Sequence, residues 1–171
     1  DKFDPMSELD ESTLTELDRW ILARMNQLIA QSRKDYDSYQ ADKLMLKITQ
    51  FIDELSNWYV RRSRRRFWKS ENDTDKWAAY HTLYNALVTL TKLIAPVSPF
   101  FTEALYQNLV VALDPEAPMS IHLCSFPEVD ERWLDNELLR RVDVVIKTVE
   151  LGRAARNKAN LKVRQPLANI S

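Results

Sequence analysis

Apolar residues recur at threes and fours along most of this 171-residue chain, the spacing that lines up one face of a helix. Leu17, Ile21, Met25, Leu28 and Ile29 predict a first helix running to about Tyr39, with Thr15 or Asp18 as its cap. Leu44, Ile48, Phe51, Leu55 and Trp58 form the stripe of a second helix that starts near Asp42, with Met45, Ile52 and Tyr59 beside it. So broad an arc suits a bundle rather than a two-stranded seam. Trp77, Tyr80, Tyr84, Leu87, Leu90 and Ile94 predict a third helix over 75–95, closed by Pro96. Ser98 then caps and Pro99 opens a fourth helix, which carries Phe101, Leu105 and Leu109 and fades by Asp114. Residues 114–134 have no period and contain Pro115, Pro118 and Pro127. They predict a long irregular connection with a short extended piece at Ser120–Phe126. A fifth helix starts near Asp135, uses Leu138, Val142, Val145 and Val149, and runs towards Arg156. In the tail, Leu161 and Val163 are compatible with a strand, but the segment is too short to make a sheet alone. The reading is an all-α helical bundle of about five helices, with an acidic lead-in at 1–13, a helical domain at 14–158 and a basic tail at 159–171.

Composition supports helices and removes several functions. The chain has one glycine, where average usage would give about twelve. A phosphate-cradling loop, a dinucleotide fingerprint and a nucleophile elbow each need at least two in a short span. Cys124 is the sole cysteine, so no internal disulfide forms, and a reducing compartment is the natural setting. No run of 18 apolar residues is present to span a membrane. The chain opens on acidic residues without a methionine and stops just after a basic segment, and it reads as a piece of a larger polypeptide or as a processed product.

The net charge of −1 hides a strong asymmetry. Residues 1–18 carry seven acids against Lys2; residues 61–69 carry Arg61, Arg62, Arg64, Arg65, Arg66 and Lys69 with no acid. On a straight α-helix Arg62 falls at the same angle as Leu44, the centre of the apolar stripe, and Arg66 lies about 40° from it. Buried unpaired arginines are very unfavourable. The helix is therefore expected either to break near Ser63 or to project past the end of the bundle. Arg61/Arg65 and Arg62/Arg66 are also like-charge pairs four residues apart, which calls for an anion nearby. Two anions are open. Guanidiniums interleaved with Trp58, Tyr59, Phe67 and Trp68 suit the phosphates and unpaired bases of a single-stranded RNA loop. Alternatively, the acids at 1–18, or Glu71, Asp73 and Asp75, neutralise the arginines and the aromatics belong to the core, where Trp58 in particular continues the stripe.

A second basic segment, Arg153, Arg156, Lys158, Lys162 and Arg164, reads as a helix end followed by a turn. The helix dipole alone favours part of this charge, and phosphate binding is the other reading. Candidates for catalysis are weak. His81 sits inside the third helix as a structural histidine. His122 and Cys124 lack the further ligands that zinc needs, and Asp53, Glu54 and Glu116 lack a partner for acid–base work. No catalytic or metal residue is assigned.

Residues 55–68, Leu-Ser-Asn-Trp-Tyr-Val-Arg-Arg-Ser-Arg-Arg-Arg-Phe-Trp, resemble the isoleucyl-tRNA synthetases. So do Leu17-Asp18-Arg19-Trp20-Ile21-Leu22, Ile94-Ala95-Pro96-Val97-Ser98-Pro99-Phe100, and Gly152-Arg153 leading to Leu161-Lys162-Val163-Arg164-Gln165-Pro166-Leu167. These stretches occur in the family's order and cover nearly all of the chain. The valyl, leucyl and methionyl enzymes share the helical layout, and the valyl-tRNA synthetases are the alternative family. The resemblance implies a class I ligase, cytoplasmic, that joins isoleucine to its tRNA with ATP and magnesium. It places this chain in the helical anticodon-binding domain. The family's His-Ile-Gly-His and Lys-Met-Ser-Lys-Ser type catalytic motifs do not occur here, so no catalysis and no bound cofactor are expected of the piece itself. The implied partners are the anticodon stem-loop of isoleucine tRNA and the catalytic domain, with no membrane, and the piece is expected to be monomeric. Arg61, Arg62, Arg64, Arg65 and Arg66 are the expected electrostatic site and Trp68 a stacking platform; Arg153, Arg156, Lys162 and Arg164 are expected on the stem or the catalytic domain. The competing reading makes the basic end a docking surface for that domain or another protein.

Overall fold

A computed structural model describes residues 3–5, 7, 9–68 and 73–166. Among them every regular element is helical: α1 (Glu16–Asp37), α2 (Ala41–Asp53), α3 (Arg61–Phe67), α4 (Thr74–Ile94), α5 (Pro99–Tyr106) and α6 (Asn136–Lys158). A π-helical segment, Glu54–Val60, joins α2 to α3 without a break, and a second, Gln107–Val111, prolongs α5. Counted as continuous rods these are five helices, and the all-α bundle is as the periodicity predicts. The chain divides into two compact units, Asp1–Leu134 and Asp135–Ser171.

In the first unit, α1 starts on a capping box. Thr15 Oγ1 accepts from the Asp18 amide at 3.3 Å, and Asp18 Oδ2 accepts from the Thr15 amide at 2.8 Å, so two end donors are satisfied reciprocally. The helix stops at Asp37, and Tyr39 turns the chain with φ 55°. Trp20, Ile21, Leu28 and Ile29 of α1 are buried, as are Leu44, Ile48 and Phe51 of α2 and Leu55, Trp58 and Tyr59 of the π segment. Two ion pairs fix α2 and the π segment that continues it antiparallel to α1: Lys47–Asp35 at 2.7 Å and Arg24–Glu54 at 3.0 Å. The Tyr36 hydroxyl donates to the Leu93 carbonyl at 2.8 Å, which sets α4 parallel to α1.

The buried face of α4 differs from the predicted stripe. Ala78, Ala79, Thr82, Ala86, Leu90 and Leu93 are buried, because small residues let α4 approach the large side chains of α1 closely. Trp77, Tyr80 and Tyr84 flank that face and are covered by Phe3, whose ring lies 5.5 Å from Tyr80 and 5.9 Å from Tyr84. The lead-in thus contributes an anchor to the bundle despite its lack of period.

The irregular connection is held by particular bonds rather than by a strand. The expected extended piece at Ser120–Phe126 is instead a 3₁₀ turn, Ile121–Leu123, capped by the Ser120 hydroxyl. The Glu103 carboxylate accepts from Ser120 Oγ at 2.8 Å and from the Ile121 amide at 3.0 Å. Ile121 is buried with Ala95 and Tyr106. Further on, Asn26 Oδ1, buried in α1, accepts from the Asp130 amide at 2.8 Å. Ser98 occupies the cap position before Pro99, but its hydroxyl makes no cap bond; its carbonyl accepts from Thr102 instead.

The second unit is α6 and the turn that follows. Asp135 caps α6 by accepting from the Leu138 amide at 2.9 Å. The strand-compatible residues Leu161 and Val163 lie in an irregular turn.

The helix carrying the arginines neither breaks at Ser63 nor projects bare from the bundle. Its π segment closes i→i+5 bonds, so each later residue is set back by roughly one residue's rotation, ~100°. Ser63 takes the angle that a straight α-helix gives Arg62, and Ser63 is 1% exposed while Arg62 is exposed. Arg66 turns inward to Asp18, which is fully buried. Burial pushes the Asp18 carboxyl up, but the Arg66 guanidinium and the hydroxyls of Thr15 and Tyr59 outweigh it and hold the group below its ordinary value. A carboxyl depressed in the folded state stabilises above the unfolded value of about 3.9, and that contribution is lost as pH falls through the folded value. Urea unfolding followed from pH 7 to pH 2 should therefore lose stability below about pH 4, and Asp18→Asn should lower proton uptake on unfolding in that window by up to about one proton.

Candidate nucleic-acid interface

The site begins with the buried cluster that orients it. Asp18 Oδ1 accepts from Arg66 Nη1 and from the Tyr59 hydroxyl, each at 2.7 Å. Oδ2 accepts from Arg66 Nη2 at 2.8 Å and from the Thr15 hydroxyl at 2.6 Å. The guanidinium fork is thus bidentate on one carboxylate, the strongest arrangement for such a pair. Arg66 Nε donates to Asp75 Oδ1 at 2.7 Å, and Nη2 also reaches the Asp75 carbonyl at 3.1 Å. One arginine so ties α3 to the starts of α1 and α4. Burial, then the Asp18 charge, push the Tyr59 hydroxyl far above its ordinary value. For Arg66, contact with Asp18 more than offsets the effect of burial and raises the group further.

With Arg66 committed inward, Arg61, Arg62, Arg64 and Arg65 are left exposed on the same short helix. Two of them lie on indole rings. The Arg62 guanidinium carbon is 4.1 Å from the Trp58 ring centroid, and that of Arg64 is 4.6 Å from Trp68. Trp58 is core, as its place on the stripe predicts, at 9% exposed, whereas Trp68 is 75% exposed. Each contact holds a guanidinium over its ring, while the two arginines remain exposed to solvent. Phe67 turns inward, with its ring 5.4 Å from Tyr80 and 6.4 Å from Tyr59. Among the ten expected contact residues, the structure therefore brings Arg61, Arg62, Arg64, Arg65 and Trp68 together and sets Arg66 apart as their anchor. Arg66 is neutralised by Asp18 and Asp75; Glu71 lies outside the described residues.

The other four belong to the second unit. Arg153, Lys162 and Arg164 are exposed. Arg156 Nη1 donates to the carbonyls of Lys162 at 3.0 Å and Gln165 at 2.8 Å. Asn160, with φ 54°, lets the chain reverse, and the Leu161 amide donates to the Arg156 carbonyl at 2.9 Å, the geometry of a left-handed helix terminus. Arg156 thus organises the turn that presents Lys162 and Arg164.

His81 is held structurally, as its position predicts. Its Nε2 lies 2.9 Å from Ser7 Oγ and its ring 4.9 Å from Phe3, and burial lowers its pKa against the opposing Asp4 charge. Cys124 Sγ donates to the Tyr106 hydroxyl at 3.3 Å, while His122 faces solvent. Among the described residues no group of three or more His, Cys, Asp or Glu is placed to hold a metal ion, and no helix is long and apolar enough to cross a membrane. Sequence reasoning missed the Asp18–Tyr59–Arg66 cluster and the Phe3 anchor. The visible signal for the first was an acid at the cap of an apolar helix together with an arginine predicted near a buried stripe.

The family described as the anticodon-binding domain of tRNA ligase matches residues 18–171. An isoleucine–tRNA ligase of Dehalococcoides mccartyi is 51% identical over 99% of this chain, which covers 17% of that protein. Those of Clostridium novyi and Thermus thermophilus are 48% identical over 99% and 46% identical over 89% of the chain, covering 16% and 15% of their lengths. The chain thus spans about a sixth of the curated relatives it matches. The valine-enzyme alternative is not favoured.

The turn held by Arg156 gives a direct check. In Arg156→Met both carbonyls lose their donor, at a net cost of about 1 kcal/mol per bond. Amide exchange at Gln165, whose N–H bonds the Lys162 carbonyl at 3.0 Å, should rise by about five- to tenfold, with exchange in α1 and α4 unchanged.

Proposed function

The chain belongs to the anticodon-binding domain family of tRNA ligases, and from that premise we propose that it holds the anticodon stem-loop of isoleucine tRNA for a ligase that joins isoleucine to that RNA. One observation carries the reading at the level of residues: Arg61, Arg62, Arg64 and Arg65 face outward together because Arg66 is pinned to Asp18. Their guanidiniums present forked donors to phosphate oxygens, and Trp68 offers an aromatic face to an unpaired base. Arg153, Lys162 and Arg164 form a second basic surface, with Arg156 ordering it from behind. Phosphate contacts of this kind position an RNA without reading its sequence.

ATP-dependent aminoacylation belongs to the whole ligase. The chain covers about a sixth of those ligases, and ATP and magnesium are assigned to the rest of such an enzyme. The chain's own work is to bind and orient. A cytoplasmic setting and a monomeric state complete the proposal.

Binding of isoleucine tRNA to this chain, measured between about 50 and 200 mM salt, should fall with a steep log–log slope. The double variant Arg64→Ala/Arg65→Ala should make that slope shallower by roughly 1.4–1.8, the release of counterions from two phosphates. An unchanged slope would overturn the assignment and favour docking of the basic end on protein.

A further inference from the structure

Arg66 grips the first turn of α4 through Asp75, its Nε donating to Oδ1 at 2.7 Å. A hold at one residue leaves a seven-residue helix such as α3 free to turn about it. The next residue supplies a second hold. Phe67, the last residue of α3, sets its ring edge-on to Tyr80 at 5.4 Å and 87°. The Tyr80 hydroxyl donates to the Phe67 carbonyl at 3.4 Å, a long bond to one of the final carbonyls of the helix, which have no partner within it. The two holds leave α3 about 100° apart around its axis and meet α4 at points ~7.5 Å apart along it. Together they fix the angle of α3. Arg61, Arg62, Arg64 and Arg65 stand on that helix, so its angle sets where they point.

Phe67 and Tyr80 are each only half-buried, and the core does not lock either ring by itself. Phe3 covers Tyr80. Its ring lies 5.5 Å from that of Tyr80 and also packs on Trp77 at 6.1 Å and His81 at 4.9 Å. The lead-in that carries Phe3 is itself held by the contact of Ser7 Oγ with His81 Nε2 at 2.9 Å. A line of rings thus runs from Phe3 through Tyr80 to Phe67, the neighbour of Arg66 in the chain.

We propose that Phe3 and Tyr80 are positioning residues for tRNA binding: through Phe67 they hold the arginine face at its angle and touch no RNA themselves. The proposal rests on the tRNA-binding function above.

Phe3→Ala opens the line of rings at its far end and removes no arginine. At one fixed salt concentration, binding of the isoleucine tRNA transcript should weaken by about fivefold, the worth of one aromatic contact. On the Arg64→Ala/Arg65→Ala background the same substitution should weaken it by less than about twofold, because the arginines nearest Phe67 are gone. A merely structural Phe3 shifts the urea midpoint alone, or weakens binding equally on both backgrounds. Either result overturns the proposal and leaves the tRNA reading standing. Circular dichroism establishes that each variant is folded. If Phe3→Ala is not, Phe3→Leu, which keeps an apolar side chain over Tyr80, is compared on the same two backgrounds with the same outcomes. If the unaltered chain fails to bind the transcript, the tRNA reading fails and the positioning role falls with it.

Discussion

The pairing of Asp18 with Arg66 is the constraint on which the arrangement of the first unit turns. A carboxylate fully removed from water and a guanidinium whose side chain is 13% exposed meet at 2.7 Å. Burying two charges is costly, and mutual attraction offsets the cost only when the remaining lone pairs and protons are also satisfied. Here they are. Asp18 accepts from the fork of Arg66, from both donors of Thr15 and from Tyr59, and Arg66 adds Asp75. The same carboxylate caps α1, receives the π segment through Tyr59 and fixes α3. Removing either partner would leave a buried charge without its counterion, a loss of about 3–5 kcal/mol against a total domain stability of about 5–15 kcal/mol.

Placement of the other arginines follows from this anchor together with the π segment. An unbroken α-helix would direct Arg62 at the core. One extra residue's rotation directs Ser63 there instead, and a small hydroxyl is far cheaper to bury than a guanidinium. The like-charged residues that remain are then carried on one exposed face, two of them resting on indoles. The helix therefore concentrates positive charge at its C-terminal end, where the dipole favours it, while the bundle beneath stays neutralised. Charge density at the surface and order in the core have a common origin in α3.

The helices and their order were legible because apolar spacing and cap residues are local signals. Thr15, Asp18, Asp135 and Pro99 mark helix starts by short-range chemistry. What was not legible depended on longer-range geometry. A π segment has no fixed composition, so the angles expected for Arg62 and Arg66 were those of a straight α-helix. Of the alternatives left open for the arginines, neutralisation within the bundle holds for Arg66, through Asp18 and Asp75, whereas Arg61, Arg62, Arg64 and Arg65 face outward. Phe3, the contacts of Glu103 with Ser120, and the bond from Asp130 to Asn26 join residues far apart in sequence without any periodic trace. On α4 the larger apolar residues drew the eye, although close helix packing selected the alanines.

The arginine face proposed for RNA stands on this framework. The first turns of α1 and α4 meet Arg66. A change that frees α3 would disturb that face, so the central claim concerns coupling rather than any single contact. A double-mutant cycle of Asp18→Asn and Arg66→Met, read by urea unfolding at pH 7, measures it most directly. The account predicts a coupling free energy of about 2–3 kcal/mol, with each single variant costing more than its share in the double variant. A coupling below about 0.5 kcal/mol, with additive losses, would contradict it and reduce the pair to two independent packing residues.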